Sequence, residues 1–128
     1  MSGAEPATPA GIVLYGIETC DTCRNARRWL AARGIAHRFH DLRRDGLDRP
    51  ILDGWIARIA WDELPNRRGQ TWRRIPDSAR SAMRDAQGLI ELALAEPLVL
   101  RRPVLDDGTT LLVGYSEQTY AAAFGLPG

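Results

Sequence analysis

Cys20-Asp21-Thr22-Cys23 holds the only two cysteines of this 128-residue chain, and it falls where one regular element stops and another starts. Ile12-Val13-Leu14-Tyr15 is a short apolar run of strand formers, broken by Gly16. An amphipathic stretch from about Thr22 to Arg33 follows. Two thiols with this spacing at a helix N-terminus can close a small disulfide ring. The first can also be held as a thiolate by the helix dipole and the free N–H groups of the first turn. Arg24, Arg27 and Arg28 add positive potential nearby. A strand, a CxxC pair and a helix in this order point to redox chemistry in a thioredoxin-like fold. The bland alternative is a pair of buried, unreactive cysteines.

The rest of the chain supports that architecture. Asp21 or Thr22 can cap the first helix, Ala26, Trp29 and Leu30 form its apolar stripe, and Gly34 can take the left-handed position after it. Ile35 then packs back on Leu30 in a Schellman-type end. His37 to Leu42 reads as a second strand, and a strand–helix–strand unit of this length makes a right-handed parallel crossover. Leu47, Ile51, Leu52, Trp55, Ile56 and Ile59 recur at helical spacing, which predicts a helix from about Asp48 to Ala60. Ser78–Arg84 and Gln87–Ala95 predict two more, with Pro97 ending the last. Leu98-Val99-Leu100 has strand character, interrupted by Arg101-Arg102-Pro103 and resumed at Val104-Leu105. The Asp106-Asp107-Gly108 turn leads into a strand at Thr110–Val113, an antiparallel hairpin, and Ser116 caps a last helix through about Phe124. The reading is an α/β thioredoxin-like fold, β-α-β … β-β-α, with a helical insertion over about residues 45–97. Residues 12–126 form a single domain, and the Ala/Pro/Gly-rich segment 1–11 is a disordered tail.

Composition bounds the function. A formal net charge of +1 argues against non-specific polyanion binding, and so against direct nucleic-acid binding, as the main role. No apolar stretch approaches the roughly 20 residues of a membrane span. Residues 1–11 have neither the basic nor the apolar region of a signal peptide. A close cysteine pair without a secretion signal suits the cytoplasm, where such pairs are more often catalytic or redox-sensing than structural.

Three further clusters carry candidate chemistry. Cys20-x2-Cys23 is followed by His37-x2-His40, but the histidine gap is shorter than that of a Cys2His2 zinc site. With Arg38 and Phe39 in a strand, the two histidines point to opposite faces and cannot share one ion, so no metal is expected. Proline in Arg101-Arg102-Pro103 removes a ladder donor from a strand. Either the X-Pro bond is cis and exposes backbone groups beside the thiols, or this is an edge strand with solvated arginines. Asn66-Arg67-Arg68-Gly69, with Arg73 and Arg74, offers guanidinium groups that bind oxyanions and carboxylates. Taken alone, such a run is a solvated helix face.

Taken together the residues resemble a known family. Leu14-Tyr15-Gly16-Ile17-x-x-Cys20-Asp21-Thr22-x-Arg24-x-Ala26-Arg27-x-Trp29-Leu30 is similar to the opening of the arsenate reductase (ArsC)/Spx family, nearest to its YffB-like ArsC-family reductase branch. Phe39-His40-Asp41-Leu42-Arg43-x-Asp45-Gly46-Leu47, Asn66-x-Arg68-Gly69-x-Thr71-Trp72-Arg73 and Arg102-Pro103-x-Leu105 match that branch in order. Val113-Gly114-Tyr115-Ser116 is similar to the Spx side. The resemblance runs from about Gly11 to Phe124.

The resemblance implies a thiol-dependent reductase in which Cys20 is the nucleophile, Arg68 and Arg102 bind a small anionic or thiol substrate, and Pro103 is a cis proline. Glutathione or glutaredoxin would resolve the adduct, glutathione being the reductant and no cofactor being bound. Two departures qualify the implied substrate. Thr109 to Tyr115 lacks the further anion-binding arginine of glutaredoxin-linked arsenate reductases. Cys23 is foreign to their pattern and could resolve a mixed disulfide on Cys20 internally. Spx carries CxxC as a redox switch, so the alternative is a regulator that binds the RNA polymerase α subunit under control of Cys20–Cys23 oxidation.

Overall fold

The computed structural model describes residues 11–127, so the segment read as a tail lies almost wholly outside the described residues. In chain order the first elements are β1 (Val13–Gly16), α1 (Asp21–Ala32) and β2 (Arg38–Asp41). Helices α2 (Leu42–Asp45), α3 (Arg49–Ile56), α4 (Gln70–Arg74), α5 (Asp77–Ala82) and α6 (Ala86–Ala95) follow, with 3-10 turns at Trp61–Glu63 and Pro97–Val99. Strands β3 (Val104–Asp106) and β4 (Leu111–Val113) and helix α7 (Glu117–Ala123) complete the order. The chain forms two compact units, one containing everything described up to Asp41 and from Arg102 onward, the other spanning Leu42–Arg101.

The first unit is a mixed sheet in the order β2-β1-β3-β4. β1 and β2 run parallel, Val13 facing Arg38 and Gly16 facing Asp41. β3 is antiparallel to both β1 and β4. Phe39, Leu14, Leu105 and Leu112 lie in one row across the sheet, so the two-residue period puts them on one face. Against that face pack Ala26, Trp29 and Leu30 of α1 with Tyr120 and Ala121 of α7. Fully burying a side chain of this size stabilises by roughly 1.5–3 kcal/mol, so this row and its helices anchor the unit. The thioredoxin-like reading holds.

Local signals act as expected at both ends of this layer. Gly34 has φ 67°. Its N–H donates to the Ala31 carbonyl at 3.1 Å and the Ile35 N–H to the Leu30 carbonyl at 3.0 Å, which is the Schellman closure. Ile35 packs on the same core. In the β3–β4 turn, Asp107 Oδ1 accepts from the Thr109 and Thr110 N–H groups at 2.9 and 2.6 Å, and Gly108 takes φ 93°.

The second unit is helical, and its limits are wider than the 45–97 read from periodicity. Asp48 caps α3 by accepting from the Ile51 N–H at 3.0 Å, with Pro50 in the first turn. The helix stops at Ile56, before the expected Ala60. Short α2 and α4 fall outside the sequence reading because neither is long enough to show a period. Leu98-Val99-Leu100 is not a strand. Pro97 opens a 3-10 turn there, and Leu100 forms an isolated bridge to Pro65. A three-residue apolar run cannot distinguish these outcomes.

Candidate functional site

The first unit sets the thiols by packing its strand end against its helix start. β1 ends at Gly16, and the Cys20 N–H closes a tight turn by donating to the Ile17 carbonyl at 3.2 Å. Cys20 is the N-cap residue of α1, with extended backbone at φ −89° and ψ 121°. It brings no side-chain oxygen to that position, so sulfur meets the unpaired N–H groups of the first turn. Cys23, one turn further in, shares the inward face with Ala26 and Leu30 and is 0% exposed, whereas Cys20 is half-buried. Both are free thiols.

Their acidities diverge. Burial pushes the Cys20 thiol up, but the Cys23 N–H, the Cys23 thiol, the Thr22 N–H and the charge of Arg102 together outweigh it. The net pKa lies below the ordinary thiol value. Cys23 is pushed up to about 12, by burial first; the Ile17 N–H works against this, and hydrogen bonding and charge from Cys20 add to it. Of the reduced pair, Cys20 therefore gives up its proton first, and Cys23 keeps its own.

The charge on this site comes from a different arginine than local sequence suggests. Arg24 donates to the Glu18 carbonyl at 3.0 Å and pairs with Asp21 at 3.2 Å. Arg27 stacks over Phe39 at 4.1 Å, and Arg28 donates to Asn25 Oδ1 at 2.5 Å. Arg102 is the guanidinium that lowers Cys20. It is half-buried, its peptide bond to the buried Pro103 is cis, and Pro103 leads directly into β3. Cys20, Cys23, Arg102 and Pro103 therefore all belong to the first unit.

Arg68 belongs to the second unit and is exposed. Its N–H donates to Asn66 Oδ1 at 3.1 Å, and the Gly69 N–H to the Asn66 carbonyl at 3.1 Å. A Cβ at Gly69 would lie 2.9 Å from Asn66 Nδ2, so the Asn66-x-Arg68-Gly69 spacing is that of a tight turn presenting Arg68.

Three residues near the thiols escaped the sequence reading as site residues. A Cβ on Gly16 would sit 2.5 Å from Cys23 Sγ, so glycine is demanded there by close approach, although sequence marked it only as a strand breaker. Asp41, 6% exposed, accepts the Glu18 N–H at 3.1 Å. Tyr120 is 0% exposed and its hydroxyl has no hydrogen-bond partner among the described residues. Burial and then the charge of Cys23 hold that hydroxyl well above the usual tyrosine range. Of the two histidines, His37 precedes β2 with Nδ1 2.9 Å from the Ile35 carbonyl, and buried His40 packs on Tyr15. Among the described residues no three His, Cys, Asp or Glu are grouped to hold a metal, and no helix is long and apolar enough to cross a membrane.

The sequence pattern of the ArsC family matches residues 15–123. An uncharacterized protein of Haemophilus influenzae is 37% identical over 113 residues, covering 88% of this chain and 98% of that one. The global transcriptional regulator Spx of Listeria innocua is 30% identical over 110 residues, covering 83% of this chain and 81% of its own. Among solved structures, a YFFB protein is similar with a TM-score of 0.82 at 43% identity, covering 88% of this chain and 97% of that one. The solution structure of an arsenate reductase-related protein from Brucella melitensis is similar at 0.69 and 40%, covering 95% and 100%.

Proposed function

From the premise that the chain belongs to the ArsC family, we propose that it is a cytoplasmic, glutathione-linked thiol reductase with Cys20 as nucleophile and Cys23 as resolving thiol. The observation that carries this reading is the opposed acidity of two thiols in one CxxC pair. The Cys20 thiolate attacks a mixed disulfide between glutathione and a thiol substrate, forming a new S–S bond to glutathione and expelling the substrate as a thiolate. Cys23 then loses its proton and attacks Cys20 Sγ, releasing glutathione and leaving a Cys20–Cys23 disulfide. Two further glutathione molecules, or a glutaredoxin, reduce that disulfide and are themselves oxidised.

The high pKa of Cys23 suits this order. Two contributions that raise it, beyond burial, are the charge of Cys20 and the hydrogen bond to it. Both vanish once Cys20 is tied up as a mixed disulfide, so Cys23 becomes easier to ionise at the step that needs it. Arg102 supplies positive charge for a carboxylate of glutathione or for another anion. Arg68 enters as an anion-binding residue through its motif alone, and Pro103 as the cis proline of the resemblance.

The test is a coupled NADPH assay with glutathione, glutathione reductase and a glutathione mixed-disulfide substrate. Turnover should vanish in Cys20→Ser, whereas Cys23→Ser should accumulate a glutathionylated Cys20 visible as a mass increase. A Cys20→Ser variant that retains full turnover rules the assignment out.

A second reading is favoured by the 30% identity to the Listeria Spx regulator. In it, Cys20–Cys23 oxidation controls binding to the RNA polymerase α subunit. Capture of the polymerase α C-terminal domain in only one redox state, with no turnover in the coupled assay, would decide for it.

A further inference from the structure

Asp41 ends β2 directly beside Gly16, the last residue of β1, so its carboxylate sits where the chain leaves β1 for the thiols. It is 6% exposed, and a carboxylate this deep must be hydrogen-bonded to remain charged. The Glu18 N–H donates to Asp41 Oδ2 at 3.1 Å, joining residues 23 apart in sequence. Glu18 lies inside the turn whose start and end both serve the thiols. Ile17 directs its N–H at Cys23 and its carbonyl at the Cys20 N–H, the latter at 3.2 Å. Directly before it, Gly16 leaves room for Cys23 Sγ.

We propose that Asp41 is a positioning residue that, by accepting the Glu18 N–H, holds the Ile17–Cys20 turn in the shape that presents Cys20. The inference rests on the reading of Cys20 as the reactive thiol and adds the group that keeps it in place. It makes a prediction opposite in sign to simple electrostatics. A negative charge beside a thiol disfavours its thiolate, so a purely electrostatic role for an ionised Asp41 would make Cys20 more reactive when Asp41 is removed. Loss of positioning makes it less reactive.

The experiment is the rate of iodoacetamide modification of Cys20 at pH 7, followed by mass spectrometry on the reduced full chain, for wild type, Asp41→Ala and Asp41→Asn. Asparagine keeps an acceptor oxygen and drops the charge. Asp41→Ala should react about tenfold more slowly, the effect of raising a thiol pKa by about one unit, and Asp41→Asn should stay within about twofold of wild type. A rate in Asp41→Ala equal to or above wild type overturns the proposal, as does Asp41→Asn as slow as Asp41→Ala. If far-UV circular dichroism shows that Asp41→Ala has not folded, amide exchange on the wild type decides. The Glu18 amide should then be protected at least tenfold over an unstructured peptide, and an unprotected amide overturns the proposal. Alkylation uses neither glutathione nor substrate. Absence of reductase turnover would therefore count against the proposed function and leave this result standing.

Discussion

Burial raises both thiols, and at Cys20 the surrounding groups outweigh it. Cys20 gains N–H donors and the Arg102 charge, while Cys23 gains a thiolate neighbour. The stability of the reduced protein follows. Cys20 has a lowered folded pKa, so its contribution is complete above the ordinary thiol value of about 8.5 and is lost as pH falls through the folded pKa. Cys23 works the other way. From about pH 8.5 the unfolded chain sheds the Cys23 proton, while the folded protein keeps it to about 12. Above pH 8.5 the unfolded state therefore binds fewer protons and stability falls. Urea unfolding under reductant at pH 8 and pH 10 should show this decline in wild type and a smaller one in Cys23→Ala. A second prediction concerns Gly16. Its replacement by alanine forces a Cβ to 2.5 Å from Cys23 Sγ, an overpacking that should destabilise by about 1–3 kcal/mol. Adding Cys23→Ala removes the sulfur and should recover most of the loss, so a double-mutant cycle by urea unfolding will show strong coupling. Additive effects would mean that the strand end shifts rather than meeting the thiol.

Helices α1 and α7 of the first unit are capped by opposite logic. At α7, Ser116 accepts the Thr119 N–H at 3.0 Å and donates to Thr119 Oγ1 at 2.7 Å. Ser116→Ala should therefore lower stability by about 0.5–2 kcal/mol, measured as a shift in urea midpoint at unchanged slope. At α1 the same position is Cys20, which gives up an oxygen cap and leaves the first-turn N–H groups to the sulfur. The C-terminal end of α1 and the β3–β4 turn were both legible in sequence, because Gly34 and Asp107-Gly108 act within a few residues of themselves. Helices α2 and α4 were not, since one turn carries no periodicity. The extended reading of 98–100 failed for a related reason. The Asn66 N–H reaches the Val99 carbonyl at 2.8 Å and the Arg101 N–H the Leu64 carbonyl at 2.8 Å, pairing that only the tertiary fold supplies.

At the scale of the whole molecule, the proposed function turns on which oxidised substrate would be reduced. Family membership admits arsenate as a candidate, and the residues between Thr109 and Tyr115 argue against it, since none is an arginine. A missing oxyanion donor lowers the rate by about 10²–10³. Arsenate reduction in the coupled glutathione and glutaredoxin assay should accordingly be weak or undetectable beside reduction of glutathione mixed disulfides. Arsenate turnover equal to that of the mixed disulfides would require another residue to supply the charge, with Arg67 and Arg101 the first to substitute. In the same assay Arg102→Ala should weaken glutathione use by roughly 10- to 150-fold, the loss of one charge-assisted bond. A Michaelis constant for glutathione unchanged by Arg102→Ala would return that side chain to a structural part in the first unit.

Sequence by itself determined the strand, CxxC and helix junction, the parallel crossover, the closing hairpin and the family, because each depends on residue order over short spans. Tertiary structure decided what the thiols experience. The nearest arginines in sequence are occupied by Glu18, Asp21, Phe39 and Asn25, while Arg102, brought in at the start of β3, acts on Cys20. Gly16 and Asp41 likewise carry no signal of their own beyond strand breaker and strand residue. Their significance arises only when β1, β2 and α1 meet, since contact between distant segments is set by packing and has no local periodicity to announce it.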